Sequence, residues 1–159
     1  MRTAPIIAAA GAALALAGCA APGVSTRGTL SSTLTGYQAT PGPGDLDGTG
    51  TARVRIDSDS GQACWEVNAR GIDAATGAHI HRGDAGSAGP PVVPLTTPDA
   101  AGRSEGCAAV AAPLAAEMIA RPHGFYVNVH SAAFPAGAIR GQLGGQLNRA
   151  REPRVPVRR

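Results

Sequence analysis

"GTARVRIDSDSGQACWEVNA", residues 50–69, decides the fold class. Ala52, Val54 and Ile56 alternate with Arg53, Arg55 and Asp57, and beyond Ser58-Asp59-Ser60-Gly61 the residues Trp65, Val67 and Ala69 alternate with Cys64, Glu66 and Asn68. A two-residue period marks strands buried on one face, and the Ser/Asp/Gly cluster between the two runs marks a hairpin turn. Pairing across a four-residue turn sets Val54 opposite Trp65 and Arg53 opposite Glu66. Both apolar sets then face one side, and a slip of one residue would expose one of them. Cys64 falls on the outward face, placed to bridge to a neighbouring strand or an overlying loop.

The same alternation recurs further along. In "AHIHRGDAGSAGP", residues 78–90, Ile80 points to one face and His79 and His81 to the other. In "GFYVNVH", residues 124–130, Phe125, Val127 and Val129 point inward, with Tyr126, Asn128 and His130 outward. In "GAIRGQL", residues 137–143, Ile139 and Leu143 point inward and Arg140 and Gln142 outward. Gly and Pro are abundant, at 22 and 13 residues, as many short strands joined by turns require. The one helix expected is "AAPLAAEMIARP", residues 111–122, with Pro113 in its first turn, Leu114 and Met118 one turn apart, and Pro122 closing it. The expectation is an all-β sandwich or barrel with one short helix.

If the strands bearing His79, His81, His130 and Arg140 are neighbours, their hydrophilic groups pool into one patch. Neutral imidazoles suit Cu(II), Zn and Ni, and two on one strand face lie about 7 Å apart at Cα, close enough to converge on one ion. His79, His81 and His130 are therefore the candidate metal ligands, with copper the cofactor considered. The alternatives are a hydrogen-bonded network of these rings with Asn128, Arg140 and Gln142, or a peptide or polysaccharide site on the same face. His123 sits in a Pro-flanked loop and is a poor candidate. "DLDGTG", residues 45–50, begins like a calcium loop, but Ile56 stands where a bidentate Glu is needed, so it reads as a turn entering a strand. No Gly-x-Ser-x-Gly elbow, phosphate-cradling loop or acid pair for glycoside cleavage occurs, and no catalytic residue is assigned.

The ends of the chain carry its address. Residues 1–18 have one early Arg followed by an apolar run too short to span a bilayer, the layout of a secretory signal. Leu16-Ala17-Gly18-Cys19 resembles the lipobox of bacterial lipoproteins, which implies cleavage before Cys19 and its acylation with palmitate-type chains, followed by a linker to residue 26. Two or three acyl chains hold a protein stably to a membrane where one would be marginal. With Cys19 given to lipid, Cys64 and Cys107 remain as a pair for a disulfide in an oxidising compartment, or as two buried thiols. The chain has no lysine, and five of its arginines fall in residues 149–159 against the single acid Glu152. Residues 146–159 read as a disordered Arg/Pro-rich tail with affinity for anionic headgroups or envelope polymers. No aromatics interleave with these arginines, so nucleic acid is not an expected partner.

"GDLDGTGTARVRID", "AHIHRGDAGSAGP" and "YVNVHSAAFPAGAIRGQL" resemble the chordin-type (CHRD) domain, over residues 27–145. The resemblance implies an immunoglobulin-like or Greek-key β fold and a binding or interaction module outside the cytoplasm, without established catalytic residues. A local similarity to copper-zinc superoxide dismutases, in the His-x-His strand, His130 and Arg140, implies an alternative copper-binding or dismutase-like role. The sequence departs from that pattern between Gly83 and Pro122, where it has no histidine. The expectation is thus a lipid-anchored extracytoplasmic module on the cell membrane or outer membrane, a binder without catalysis. A third reading is an envelope-stabilising lipoprotein whose Arg tail contacts a polyanionic polymer.

Overall fold

The structure is a computed structural model and describes residues 26–146. The stretch read as a signal sequence, Cys19 and the Arg-rich residues beyond Gln146 lie outside the described residues. Nine strands form a single antiparallel sheet: β1 (Arg27–Thr35), β2 (Thr49–Asp57), β3 (Gln62–Arg70), β4 (Ala75–Arg82), β5 (Pro91–Leu95), β6 (Arg103–Ala109), β7 (Phe125–Ser131), β8 (Ile139–Gln142) and β9 (Gly144–Gln146). Their order is β5-β4-β7-β8-β1-β2-β3-β6, with β9 also pairing β1. The sheet curls into a nearly closed barrel, the barrel form of the expected all-β class. The only α-helix among the described residues, α1 (Ala112–Ala120), packs beside β1 and β2.

The hairpin that opened the sequence argument has the expected register. Val54 lies opposite Trp65 and Arg53 opposite Glu66, around a turn at residues 58–61. Asp57 Oδ1 accepts from the Asp59 and Ser60 amides, and Gly61 takes φ +64°, a conformation that costs glycine nothing. Inside the barrel, Leu30, Leu34, Val54, Ile56, Val67, Ile80, Phe125, Val127, Val129, Ile139 and Leu143 form one apolar core. Burying each large aliphatic or aromatic side chain contributes about 1.5–3 kcal/mol. The helix adds Ala115, Met118 and Ile119 to that core, with Leu114 only partly covered.

A disulfide braces one strand pair, and a side-chain relay spans the open seam of the barrel. Cys64 on β3 pairs directly with Cys107 on β6 and the two form a disulfide, Cα atoms 4.0 Å apart. At the seam between β5 and β6, the Trp65 indole N–H donates to Ser104 Oγ, whose hydroxyl donates to the Thr96 carbonyl just past β5. β5 itself, Pro91-Val92-Val93-Pro94-Leu95, is a terminal strand of the order, the position that tolerates prolines in a sheet.

Candidate metal centre

β4, β7 and β8 are adjacent, so the polar sides of three strands meet on the outside of the barrel. The register aligns His79 with Asn128 and Arg140, and His81 with Tyr126 and Gln142. His130 sits two residues beyond Asn128, opposite Gly77.

This outer face differs from a usual outer sheet face because it is covered. Tyr126, Asn128 and Arg140, outward by parity, are 3%, 4% and 2% exposed, and His81 is 9% exposed. Two loops cover them. From residues 83–90, the Asp84 carbonyl accepts from Arg140 Nη2, and the Gly89 carbonyl accepts from His81 Nδ1 at 2.8 Å. The Gly89 amide donates to the Tyr126 hydroxyl. From residues 132–138, the Pro135 carbonyl accepts from His130 Nδ1 at 3.0 Å and the Ala136 carbonyl from Asn128 Nδ2 at 2.9 Å. Gly89 and Gly137 allow the close approach. A Cβ on the first would stand 1.7 Å from the Arg82 carbonyl oxygen, and one on the second 2.4 Å from Asn128 Oδ1. Gln142 Nε2 lies within hydrogen-bond distance of the Gly83, His123 and Phe125 carbonyls, tying the first loop to the rim of β7.

The ring protonation pattern follows from these partners. A carbonyl only accepts, so His81 and His130 must carry their proton on Nδ1, which leaves a lone pair on each Nε2. His130 Nε2 lies 3.3 Å from His79 Nδ1. His81 Nε2 is buried with no hydrogen-bond partner. One ring nitrogen from each of His79, His81 and His130 lies within 4.8 Å of the others, and no carboxylate joins the cluster among the described residues. Two nitrogens bound at about 2.0–2.1 Å to one tetrahedral ion stand about 3.3 Å apart, the separation His79 and His130 already have. Backbone carbonyls holding the remote Nδ1–H groups are the outer partners that fix a metal-binding imidazole's orientation and tautomer.

Burial, with neighbouring positive groups, favours the neutral form of His79 and His81. His79 is held below the ordinary imidazole pKa by burial, then by the neighbouring His130 and His81. His81 is held low by burial against the opposing pull of its Gly89 hydrogen bond, with His130 and Arg140 lowering it further. Tyr126 lies between two of these groups. Its ring stacks on His81 at 4.9 Å between centroids, and the Arg140 guanidinium carbon stands 3.5 Å over its centre. No carboxylate pairs with Arg140 among the described residues, and its Nη1 is buried without a partner, as is Asn128 Oδ1.

The six residues singled out from sequence thus fall within one region, while His123 stays outside the cluster and contributes only its carbonyl. Sequence reasoning missed Tyr126 as a member, together with Gly89 and Pro135, whose carbonyls orient the rings. Strand parity had placed Tyr126 outward beside the histidines. The signal available was its position directly across from His81 once β4 and β7 were paired.

The fold is thus an all-β barrel that carries an imidazole cluster on its outer face, beside two covering loops. The family model of the CHRD domain matches residues 30–143, and the chain belongs to that family. No curated protein and no solved structure matches it.

Proposed function

We propose that this chain is a membrane-anchored, extracytoplasmic binding module whose ligand is a transition-metal ion held by His79, His81 and His130, without bond-making chemistry of its own. The observation that carries the reading is the convergence of the three ring nitrogens within 4.8 Å, two of the rings having their far nitrogens engaged by backbone carbonyls. All-imidazole sets suit copper, zinc and nickel, and His79 and His81, whose burial favours the neutral form, offer lone pairs without first losing a proton. Before an ion enters, His79 donates Nδ1–H to His130 Nε2; binding requires only that His79 move that proton to its own Nε2.

The anchoring half of the proposal rests on Leu16–Cys19 and on the disulfide, which suits an oxidising compartment. Among the described residues no helix is long and apolar enough to cross a membrane. The Arg-rich tail adds attraction for anionic headgroups or wall polymers, at about 1 kcal/mol per arginine near such a surface.

The test is titration of the full chain in detergent with Cu(I), Cu(II) and Zn(II) separately, following the histidine ring resonances. The expected result is one ion per chain, with His79, His81 and His130 perturbed and His123 unchanged, and affinity reduced at least about 100-fold in His81→Ala, beyond the loss of one outer partner. Binding that is indifferent to His81→Ala, or absent for all three ions, overturns the reading.

A further inference from the structure

A buried cation stands beside the proposed site, and no anion balances it among the described residues. Arg140 is 2% exposed, and a guanidinium keeps its proton under all ordinary conditions. Its Nη2 is satisfied by the Asp84 carbonyl and by Gln142 Oε1, both uncharged acceptors, and its Nη1 has no partner. β4 and β8 flank β7, so His81 and Arg140 reach the Tyr126 ring from opposite sides and are separated by one aromatic ring. The three histidines bring no negative charge, and no acid joins them among the described residues. An ion seated there adds its whole charge beside a buried, unbalanced guanidinium, where charges act on each other more strongly than in solvent.

The second observation concerns coordination number. His81 Nε2 is buried without a partner, so the inner side of the cluster offers a lone pair, and among the described residues no protein ligand stands beside the three imidazoles. Zinc in protein sites takes four ligands, and Cu(II) prefers tetragonal sets. Cu(I) is satisfied by two or three nitrogens in linear, T-shaped or trigonal arrangement, and it carries half the charge of the divalent ions.

We propose that Arg140 makes the His79/His81/His130 site selective for the monovalent ion, so that the copper species it takes is Cu(I). The inference rests on the metal-binding reading above and adds the oxidation state. Arg140 touches neither the ion nor its ligands; it is a positioning residue that acts through its charge across Tyr126. Asn128 supplies an independent lever. It is the direct cross-strand partner of Arg140, and its Oδ1 has no partner, so a carboxylate in its place would supply the missing negative charge at nearly the same shape, at the cost of the Nδ2 hydrogen bond to the Ala136 carbonyl.

The experiment compares affinities of the full chain for Cu(I), by competition with bicinchoninate under anaerobic reduction, and for Cu(II), by competition with nitrilotriacetate. The wild type is expected to favour Cu(I). Arg140→Gln and Asn128→Asp should each shift the Cu(I)-to-Cu(II) affinity ratio towards Cu(II) by about tenfold or more, one by removing a positive charge and the other by adding a negative one. Arg140→Lys, which keeps the charge, should leave the ratio within about threefold of wild type. A merely structural role would weaken both ions equally in Arg140→Gln and leave the ratio unmoved. If Arg140→Gln fails to fold, Asn128→Asp decides. Binding of both ions with ratios unchanged in the folded variants overturns the Cu(I) inference and leaves the metal site standing; failure of wild type to bind either ion removes both.

Discussion

The β2–β3 hairpin and the β4–β7–β8 group obey the same alternation, yet their outward faces have opposite fates. On β2 the pattern is strict: Ala52, Val54 and Ile56 are buried, while Thr51, Arg53 and Arg55 lie in solvent. On β7 six of seven residues are buried, including Tyr126 and Asn128, which parity sends away from the barrel interior. Arg140 on β8 is as buried as the apolar core. The outer layer of β4–β7–β8 is therefore a second core built from polar groups, roofed by residues 83–90 and 132–138. Burying polar atoms without partners costs about 1–3 kcal/mol each, and three such atoms, on His81, Asn128 and Arg140, sit in this layer. A surface that only needed to be soluble would not carry that cost; a binding site would.

The comparison breaks if the outer layer of β4–β7–β8 proves to be ordinary surface. Tyr126→Ala tests this with the largest expected effect. The ring fills the space between His81 and Arg140 and its hydroxyl meets Gly89, so truncation opens a cavity and loosens the loop at residues 83–90. The expected cost is about 3–5 kcal/mol, as for a large aromatic in a core, read from urea unfolding. A loss below about 1 kcal/mol would show that this layer is not packed as a core.

The two regions also differ in how far the sequence alone revealed them. Periodicity determined the hairpin completely, down to Val54 facing Trp65, because its two faces meet different solvents and the pattern records that difference. The α1 boundaries followed from Pro113 and Pro122 in the same way. Parity also put His79, His81 and His130 on one side. It could not show that this side is roofed, because the covering depends on loop backbone meeting side chains distant in sequence: Gly89 with His81 and Tyr126, Pro135 with His130. Nor was β5 visible, since its two prolines mask the alternation that Val93 and Leu95 still keep on the buried side.

A smaller effect separates the regions by pH. In metal-free protein, His79 and His81 are held below the ordinary imidazole value of 6.5. Above that value the rings are neutral in folded and unfolded chains alike and contribute no pH dependence. As the pH falls through 6.5 the unfolded chain takes up protons first, so stability declines, and it goes on declining until the folded rings are themselves protonated. The hairpin has no histidine, and its shifted acid, Asp57, is held low by the Ser60 amide bond, so its influence belongs to a much more acid range. Unfolding free energy measured in chelator should fall between pH 6.5 and 5 in the wild type, and less steeply in His79→Gln/His81→Gln. Parallel curves for the two proteins would mean that burial does not keep these rings neutral.

The smallest expected effect lies on the hairpin and sharpens the contrast from the other side. Its outward charges are paired, but diagonally: Arg53 faces Glu66 in register, while the ion pair at 2.8 Å joins Glu66 to Arg55. A diagonal neighbour on a sheet face is within reach of a long side chain, and Arg55 takes it. Both side chains are about half exposed, at 54% and 45%, so water and salt screen the pair and side-chain entropy opposes it. A double-mutant cycle of Arg55→Ala and Glu66→Ala should give a coupling of about 0.5 kcal/mol or less, vanishing in high salt. A salt-resistant coupling above about 1.5 kcal/mol would mean that the outer face of the hairpin is as sheltered as that of β4–β7–β8. The polar layer around His81 and Arg140 would then be a general property of this barrel and no pointer to a site.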